Sequence, residues 1–324
     1  MIKKIYLAPI KGFTDSTFRN VFFSCFSGID AVVVPFVTAS DSEKKLSESA
    51  LSHNNLIPIP QILTKSEETF ITLAKKFADY GSREINWNLG CPFRKVIDRG
   101  EGSALLHNPE AIDRFLDKIC NAPLPPLSVK MRLGLYSADE VFPVIDIMNN
   151  YLLKQIIIHP RTAEQMYEGN INITVFNEAV KLSHHKIIYN GDITHYTDID
   201  RIKSETGELH GWMIGRGILV NPFLAEEILT EKYIYPADKI ERLKQFINTL
   251  FKQYQKDLHS PAHVLDKMRG IWSYLSQSFS NPKKIEKRIR KASGIKHYLD
   301  EVDRIFRSDN LIFDSKSLIP EQNK

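Results

Sequence analysis

A regular alternation of short apolar runs and helical patterns constrains the fold of this chain more than any other feature. The runs are rich in β-branched residues, and segments with helical spacing, such as 66–80 and 109–120, separate them. The eight runs lie at 5–10, 31–37, 57–63, 84–89, 127–133, 155–159, 186–190 and 211–215. Strands that alternate with helices form a parallel sheet, and eight such units match a (β/α)8 TIM barrel. Because periodicity does not show whether a sheet closes, an open doubly wound sheet is the alternative.

The pattern changes to helices alone after Tyr235-Pro236. Helical periodicity without intervening β-branched runs is found at 238–257, 261–279, 281–292 and 295–306. We therefore expect two domains, which are an α/β barrel at 1–236 and an all-helical domain at 237–324.

The charge of the chain is unevenly distributed. The net charge is +4, but residues 237–324 hold 18 Lys and Arg against 11 Asp and Glu, which leaves the rest of the chain slightly acidic. A basic domain on such a body suits a polyanionic partner. A solvated helical surface explains the same charges, so charge alone leaves both interpretations open.

Composition and the lengths of the apolar runs indicate a soluble cytoplasmic protein. Hydrophobic residues make up 43% of the chain and charged residues 25%, which is unlike a disordered protein. The apolar runs are too short to span a bilayer, and the N-terminal run is too short for a signal peptide. The sparse, odd set of Cys25, Cys91 and Cys120 indicates a reducing compartment without a disulfide framework. We expect neither a membrane partner nor a metal.

The strongest local motif is Asn88-Leu89-Gly90-Cys91-Pro92, which ends the fourth predicted strand. Glycine permits unusual backbone angles and proline fixes its own, so Cys91 is expected on a tight loop at the face where barrel enzymes react. A small buried residue that fills a turn is the structural alternative for a lone cysteine. A thiol that donates a proton must stay protonated until the reaction.

Basic side chains follow at the ends of the fifth and sixth predicted strands. Lys130 and Arg132 are two residues apart, so both point to the same side of their strand. Two cations inside a barrel need an anionic or electron-rich partner, unless they reach solvent at the strand end. His159 and Arg161 add a ring donor and a further cation at the next strand end, where a histidine is often structural.

Glycines mark the ends of the last two predicted strands, in Asn190-Gly191-Asp192 and Gly215-Arg216-Gly217. Backbone N–H groups at such positions can approach a phosphate closely, and Arg216 can add a charge-assisted contact. The loops after the seventh and eighth strands are the usual phosphate site of a barrel. Two ordinary turns are the alternative, although their pairing at consecutive strand ends favours a phosphate site.

These motifs resemble, in order and spacing, those of the tRNA-dihydrouridine synthases from residue 5 to about 306. Residues 7–15 are similar to the family's first strand and flavin-contacting loop. The motif at 88–92, followed by Val96 and Gly102-Ser103, matches the family's signature. The remaining matches in register lie at 128–134, 159–162, 190–192 and 215–216.

The resemblance implies an FMN-dependent reductase that takes hydride from NADPH, although the sequence does not distinguish NADPH from NADH. Its reaction would reduce the C5=C6 bond of a D-loop uridine in tRNA to dihydrouridine. Reduced FMN would pass hydride to C6, and Cys91 would donate a proton to C5 from the opposite face. The implied FMN contacts are Pro9, Ile10, Lys11, Gln61, Lys130, His159, Asn190, Gly191, Asp192, Gly215 and Arg216. The last five would hold the phosphate end, and Lys130 would polarise the ring.

Three positions depart from the family pattern. Asn86 stands where the family often has an acid, Pro160 stands where it has glycine, and Lys11 replaces a small or acidic residue. Asn86 therefore lacks the charge of that acid. None of the three departures removes the proposed thiol or the phosphate site.

The resemblance also implies that folded tRNA is the partner, recognised by shape and phosphate contacts. The expected tRNA contacts are Asn88, Arg94, Lys95, Arg132, Arg161, Lys267, Arg269, Lys283, Lys287 and Arg290. The basic, aromatic C-terminal helices are most similar to those of the branch that modifies the sixteenth nucleotide. We expect a monomer.

Two other functions are alternatives. A flavin barrel that reduces a small pyrimidine or an enone would share the FMN site, but it gives no reason for a basic helical domain. A non-catalytic RNA-binding relative would explain the basic domain, but it would not need a flavin.

Overall fold

Eight parallel strands form a curled sheet in the computed structural model, which describes residues 4–51, 56–231, 238–308 and 311. The strands are β1 (Lys4–Leu7), β2 (Ala31–Val32), β3 (Gln61–Ile62), β4 (Ile85–Leu89), β5 (Leu127–Gly134), β6 (Gln155–Thr162), β7 (Ile187–Tyr189) and β8 (Gly211–Ile214). From β3 to β8, each strand pairs with the next one in the chain, and β1 pairs with both β2 and β8.

Parallel bridges span the remaining gap between the segments of β2 and β3. Val33 bridges to Ile59, and a second bridge follows further along the same two segments. Pro60 precedes β3 and has no N–H to donate, which limits the ladder there. The predicted strand at 57–63 is therefore regular only at its end. The predicted (β/α)8 TIM barrel is confirmed, and the open doubly wound alternative is wrong.

Helices follow the strands along the chain. Those of the barrel are α1 (Ser16–Cys25), α2 (Glu43–Ala50), α3 (Glu67–Asp79), α4 (Arg94–Ile97), α5 (Pro109–Cys120), α6 (Val141–Met148), α7 (Ile173–Leu182), α8 (Asp198–Thr206), α9 (Arg216–Val220) and α10 (Leu224–Thr230). Several begin at a side chain that accepts a backbone N–H of the first turn, which satisfies a donor that the helix leaves open. These capping residues are Asp15, Ser42, Ser66, Asn108 and Asn172.

The two longest strands, β5 and β6, carry much of the polar chemistry. Every residue of β6 is buried, and this strand continues to Thr162, past the predicted end at residue 159. The β5–β6 register shifts between Arg132 and Gly134. Such an irregularity redirects side chains at the end of a strand. Arg132 donates to the carbonyl of Thr162 at 2.7 Å, which ties the extended ends together.

The C-terminal part consists of α11 (Lys239–Asp257), α12 (Pro261–Leu275), α13 (Pro282–Lys291) and α14 (Ile295–Ser308). The predicted helix at 261–279 ends earlier than expected and is followed by a 3₁₀ turn, Ser276–Ser278. The predicted domain boundary at 236/237 lies outside the described residues, as does the end of the chain from 312.

These helices pack on the barrel through aromatic side chains. The ring of Phe246 in α11 lies 5.8 Å from that of Phe18 and 5.2 Å from that of Phe26. Buried residues of the barrel and of the four helices belong to one continuous apolar cluster. The described helices therefore share their core with the barrel. The division into two domains stays a prediction.

The described residues include neither a membrane-spanning helix nor a metal-binding cluster. None of the described helices combines the length and the apolar character that crossing a bilayer requires. Within the same residues, no three His, Cys, Asp or Glu side chains come together as a metal-binding group.

Candidate active site

A cavity of about 400 Å³ opens at the carboxyl ends of the barrel strands. Residues singled out in the sequence converge on it from seven of the eight strands. Those that line it are Pro9, Ile10, Lys11, Gln61, Asn88, Cys91, Lys130, Arg132, His159, Asn190, Gly191, Asp192, Gly215 and Arg216. Residues far apart in the chain thus share one cavity, at the face where barrel enzymes place their active sites.

The loop that carries Cys91 is held by hydrogen bonds from both sides. Asn88 Oδ1 accepts the backbone N–H of Gly90 at 3.1 Å and that of Cys91 at 2.9 Å. Ser103 Oγ donates to the Cys91 carbonyl at 2.8 Å. Gly102 has a φ of +60°, and a Cβ there would lie 3.0 Å from the Cys91 carbonyl oxygen. The Gly102-Ser103 part of the motif therefore supports the cysteine loop.

The thiol of Cys91 is buried at the cavity wall. Burial raises its pKa above the ordinary thiol value, and this effect outweighs the opposing influence of Lys11, Arg132 and Lys130. A thiol with a raised pKa is protonated at neutral pH. The Cys91 thiol therefore carries its proton at the wall of the cavity.

Lys130 and Arg132 project into the same cavity but differ in their partners. Within the described chain, Lys130 has no ion-pair partner, and burial together with Arg132 lowers its pKa to about 7. Arg132 donates to the carbonyl oxygens of Gly90, at 3.1 Å, and Thr162, at 2.7 Å. Arg132 thus supports the cysteine loop, while Lys130 is left to meet a partner in the cavity.

His159 is buried beside these cations. Burial, followed by the charges of Arg132 and Lys130, lowers its pKa well below the ordinary histidine value. The ring is therefore neutral at physiological pH. Its Nδ1 atom is buried and makes no hydrogen bond with the described residues. An unsatisfied buried ring nitrogen in a cavity wall indicates a place where a polar ligand atom binds.

The loops after β7 and β8 form a tight, positively charged end of the cavity. Asp192 has a left-handed φ of 39°, and its carboxylate accepts from Arg161 at 2.6 Å and Arg216 at 3.1 Å. A Cβ at Gly191 would lie 3.0 Å from Pro160 Cδ. Glycine at this position therefore allows close packing against Pro160, while Gly191 itself lines the cavity.

A model of the family described as dihydrouridine synthase (Dus) matches residues 6–309. The chain belongs to the dihydrouridine synthase family. The resemblance drawn from the motifs is thereby confirmed.

Relatives with curated names agree with this membership. The chain is 26% identical to the tRNA-dihydrouridine(16) synthase of Haemophilus influenzae, over 89% of this chain and 95% of the relative. It is 30% identical to the tRNA-dihydrouridine synthase B of Pasteurella multocida, over 71% and 70% of the two chains. It is 29% identical to the probable tRNA-dihydrouridine synthase of Rickettsia typhi, over 69% of each chain.

A solved structure supports the barrel fold alone. Morphinone reductase in complex with tetrahydroNAD is similar with a TM-score of 0.51 and 8% identity, over 70% of this chain and 86% of that chain. Because the identity is so low, this similarity carries no statement about the chemistry.

The three departures from the family pattern have local explanations. Asn86 is fully buried, accepts from Gln61 Nε2 at 2.7 Å and donates to Ser128 Oγ at 2.9 Å, so a neutral amide satisfies this site. Pro160 packs beside Gly191. The ammonium of Lys11 lies 4.9 Å from the centre of the Phe36 ring.

The expected tRNA contacts occupy different environments. Lys283, Lys287 and Arg290 are exposed on one side of α13, and Arg94 and Lys95 are exposed on α4. By contrast, Arg161 is buried and donates to Asp192 and to the Gly169 carbonyl. The tRNA contact expected of Arg161 stays a prediction, now with a guanidinium that is engaged inside the protein.

Two further cations on α12 are also engaged within the protein. Lys267 pairs with Asp15 at 2.7 Å. Arg269 pairs with Asp266 at 2.8 Å and donates to the Ala292 carbonyl at 2.8 Å. The tRNA contacts expected of Lys267 and Arg269 stay predictions, now with competing internal partners.

Aromatic cavity residues were missed by the sequence analysis. Tyr167 lies between two guanidiniums, 5.3 Å from Arg132 and 4.9 Å from Arg216. Tyr274 of α12 reaches the cavity from the helical part. The closeness of Tyr167 to His159 in the chain was a usable signal, whereas nothing in the sequence shows that α12 reaches the barrel mouth.

Proposed function

We propose that the protein is a flavin-dependent tRNA-dihydrouridine synthase that reduces the C5=C6 bond of a D-loop uridine, with Cys91 as the proton donor. The observation that carries this proposal is the placement of a protonated, buried thiol in the same cavity as Lys130 and the neutral His159. Family membership supports the reaction type.

The residues present suit FMN. Lys130 lacks an ion-pair partner among the described residues, and the electron-rich N1–C2=O2 edge of a flavin ring would supply one. The unsatisfied Nδ1 of His159 adds a polar contact near the ring. Gly191, Gly215 and Arg216 would hold the phosphate. Bound FMN would supply the hydride, with NADPH as its source.

The chain's own residues would carry the proton chemistry and the positioning. Cys91 Sγ would give its proton to C5 of the uracil, and its raised pKa keeps that proton in place until carbon becomes basic. Arg132 and Asn88 would hold the cysteine loop at its working distance. The uridine must leave its stack to enter the cavity, because a base in a helix does not expose C5 and C6.

The basic side of α13 would bind tRNA phosphates. Lys283, Lys287 and Arg290 are exposed there, while Ile285 and Ile289 are buried beneath them. Such a surface suits a polyanion whose recognition depends on shape and charge. This basic surface favours the proposal over a reductase of a small pyrimidine or an enone, because such an enzyme has no polyanion to bind.

We assign the sixteenth nucleotide as the target. Relatives from Haemophilus influenzae and Haemophilus ducreyi, both named tRNA-dihydrouridine(16) synthases, match 89% and 87% of this chain, so each match extends beyond the barrel. The protein would act in the cytoplasm, in keeping with its free cysteines Cys25, Cys91 and Cys120. We propose that it acts there as a monomer.

Mass spectrometry of tRNA tests the proposal. The purified protein, loaded with FMN, is incubated with NADPH and unmodified tRNA, and each nucleotide is mapped by fragmentation. The expected product is a uridine heavier by two hydrogen atoms at nucleotide sixteen. Reduction of free uracil but not of tRNA would support the small-pyrimidine alternative, and tRNA binding without a flavin would support the non-catalytic one.

A further inference from the structure

The loop between β1 and α1 forms one wall of the cavity. Its residues Pro9, Ile10 and Lys11 line the cavity directly. The loop turns tightly, since the backbone N–H of Phe13 donates to the Ile10 carbonyl at 3.0 Å. It ends at Asp15, whose Oδ1 accepts the N–H of Phe18 at 2.9 Å and so caps α1. The position of this wall therefore depends on what holds Asp15 and the turn before it.

Two helices of the C-terminal part converge on this loop. Lys267 Nζ of α12 donates to Asp15 Oδ2 at 2.7 Å and to the Gly12 carbonyl at 3.0 Å. Tyr254 Oη of α11 donates to Asp15 Oδ1 at 3.0 Å. Gly12 has a left-handed φ of +86°, a conformation that favours glycine, and its carbonyl accepts from this lysine. Lys267 thus joins both halves of the turn.

Aromatic contacts reinforce the same junction. The rings of Phe13 and Tyr274 meet edge to face at 5.2 Å, and both side chains line the cavity. A Cβ at Gly270, one turn before Tyr274, would lie 3.3 Å from the Phe13 ring, so the helix packs closely on the loop. The helical part therefore contributes a side chain to the cavity wall and also packs against the loop that forms it.

We propose that Lys267 is a positioning residue for the cofactor site, which holds the β1–α1 loop against the flavin through Asp15 and Gly12. This inference rests on the proposed FMN-dependent function. Two N–H groups of its ammonium are engaged inside the protein. This role competes with the tRNA contact that the sequence suggested for Lys267. It also predicts that the C-terminal helices matter for cofactor binding and not for RNA binding alone.

Flavin affinity measured by fluorescence titration tests the proposal. Lys267→Met keeps the length of the side chain and removes both hydrogen bonds, so the FMN dissociation constant is expected to rise about tenfold. Lys267→Arg, which can still pair with Asp15, should restore most of the affinity. Lys252→Met removes an exposed lysine of α11 and serves as the control, with an unchanged dissociation constant.

A double-mutant cycle separates positioning from general stability. Asp15→Asn keeps an acceptor that caps α1 but removes the charge that Lys267 meets. If Lys267 acts through Asp15, the double variant Lys267→Met with Asp15→Asn should bind FMN no more than about twofold more weakly than Lys267→Met alone. Thermal unfolding of each variant checks that the protein is folded. If Lys267→Met does not fold, Tyr254→Phe, which loses one hydroxyl, should still weaken FMN binding.

The outcomes distinguish this inference from the proposed function. A parent protein that binds no FMN would refute the proposed function, and the positioning role with it. A parent that binds FMN normally, with folded Lys267 and Asp15 variants of equal affinity, would refute the positioning role alone. If Lys267→Met binds flavin with unchanged affinity but binds tRNA more weakly, the positioning role is wrong and Lys267 contacts tRNA.

Discussion

Asn88 accepts the backbone N–H of Cys91 at 2.9 Å, so one side chain sets the orientation of the thiol loop. The amide nitrogen of Asn88 donates in turn to Gln61 at 2.7 Å, which donates to Asn86 at 2.7 Å. This buried chain of amides links β3 to β4. It explains why the motif needs an amide at Asn88, and it leaves Asn88 with little capacity for the tRNA contact that the sequence suggested.

Flavin affinity should depend on pH through Lys130. Its pKa is lowered to about 7 by burial and by Arg132, and a flavin ring edge would raise it again in the complex. Well below pH 7 the ammonium is charged in both states, so Lys130 adds no pH dependence to the affinity there. Above pH 7 the free protein loses the proton that binding requires, so FMN affinity should fall, by up to about tenfold per pH unit.

The measurement is a series of FMN titrations from pH 6 to pH 9. Lys130→Met, which carries no titratable group, should bind more weakly at pH 6 and lose most of this pH dependence. FMN itself also gains and loses protons in this range. The curve for Lys130→Met measures the effect of FMN titration without that of Lys130. Parallel curves for the parent and Lys130→Met would contradict the assigned contact.

Arg216→Ala should release FMN. The change removes a charge-assisted contact to the phosphate. Of the two arginines that pair with Asp192, it leaves only Arg161, so the Asp192 carboxylate repels the phosphate more strongly. The dissociation constant should rise about 10- to 150-fold, the equivalent of about 1.5–3 kcal/mol. Arg201→Ala, on the surface of α8, is the matched control. Equal affinity of Arg216→Ala and the parent would exclude Arg216 from the phosphate site.

Much of the barrel site was predictable because strand ends in a parallel barrel meet at one face. Lys130, His159, Asn190 and Arg216 could be placed together from the periodicity and from their positions at strand ends. Which individual side chains are buried was harder to predict from the sequence. Arg161 looked like an exposed cation, because its partner Asp192 comes from a different strand end.

Contacts between the helices and the barrel were not predictable. Lys267 meets Asp15 across 252 residues, and Tyr274 enters the cavity through the packing of α12 on the barrel. The helical periodicity of α12 identifies its buried side, but it does not identify the surface that the helix covers. Such pairings depend on docking geometry, which one sequence does not contain.

Reversing the charges of Lys283, Lys287 and Arg290 to glutamate should weaken tRNA binding while FMN affinity stays at the parent value. These residues share the exposed side of α13. Each lost phosphate contact should flatten the dependence of log affinity on log salt by about one unit or somewhat less. The measurement is a tRNA titration at several salt concentrations.

A matched control separates position from net charge. Reversal of Lys75, Lys181 and Arg114, which are exposed on barrel helices, changes the net charge by the same amount. That control should leave the salt slope near the parent value. If both triple variants lose affinity equally, the side of α13 has no specific role in binding tRNA.

The rate of dihydrouridine formation in Cys91→Ala tests the central claim most directly. With FMN bound and reduced in advance, a single turnover on tRNA is followed by mass spectrometry for the parent, Cys91→Ala and the control Cys120→Ala. Removal of a positioned proton donor should slow the reaction about 100- to 10,000-fold, while FMN affinity and the Cys120→Ala rate stay near the parent values. A Cys91→Ala variant that reduces tRNA at the parent rate would contradict the account.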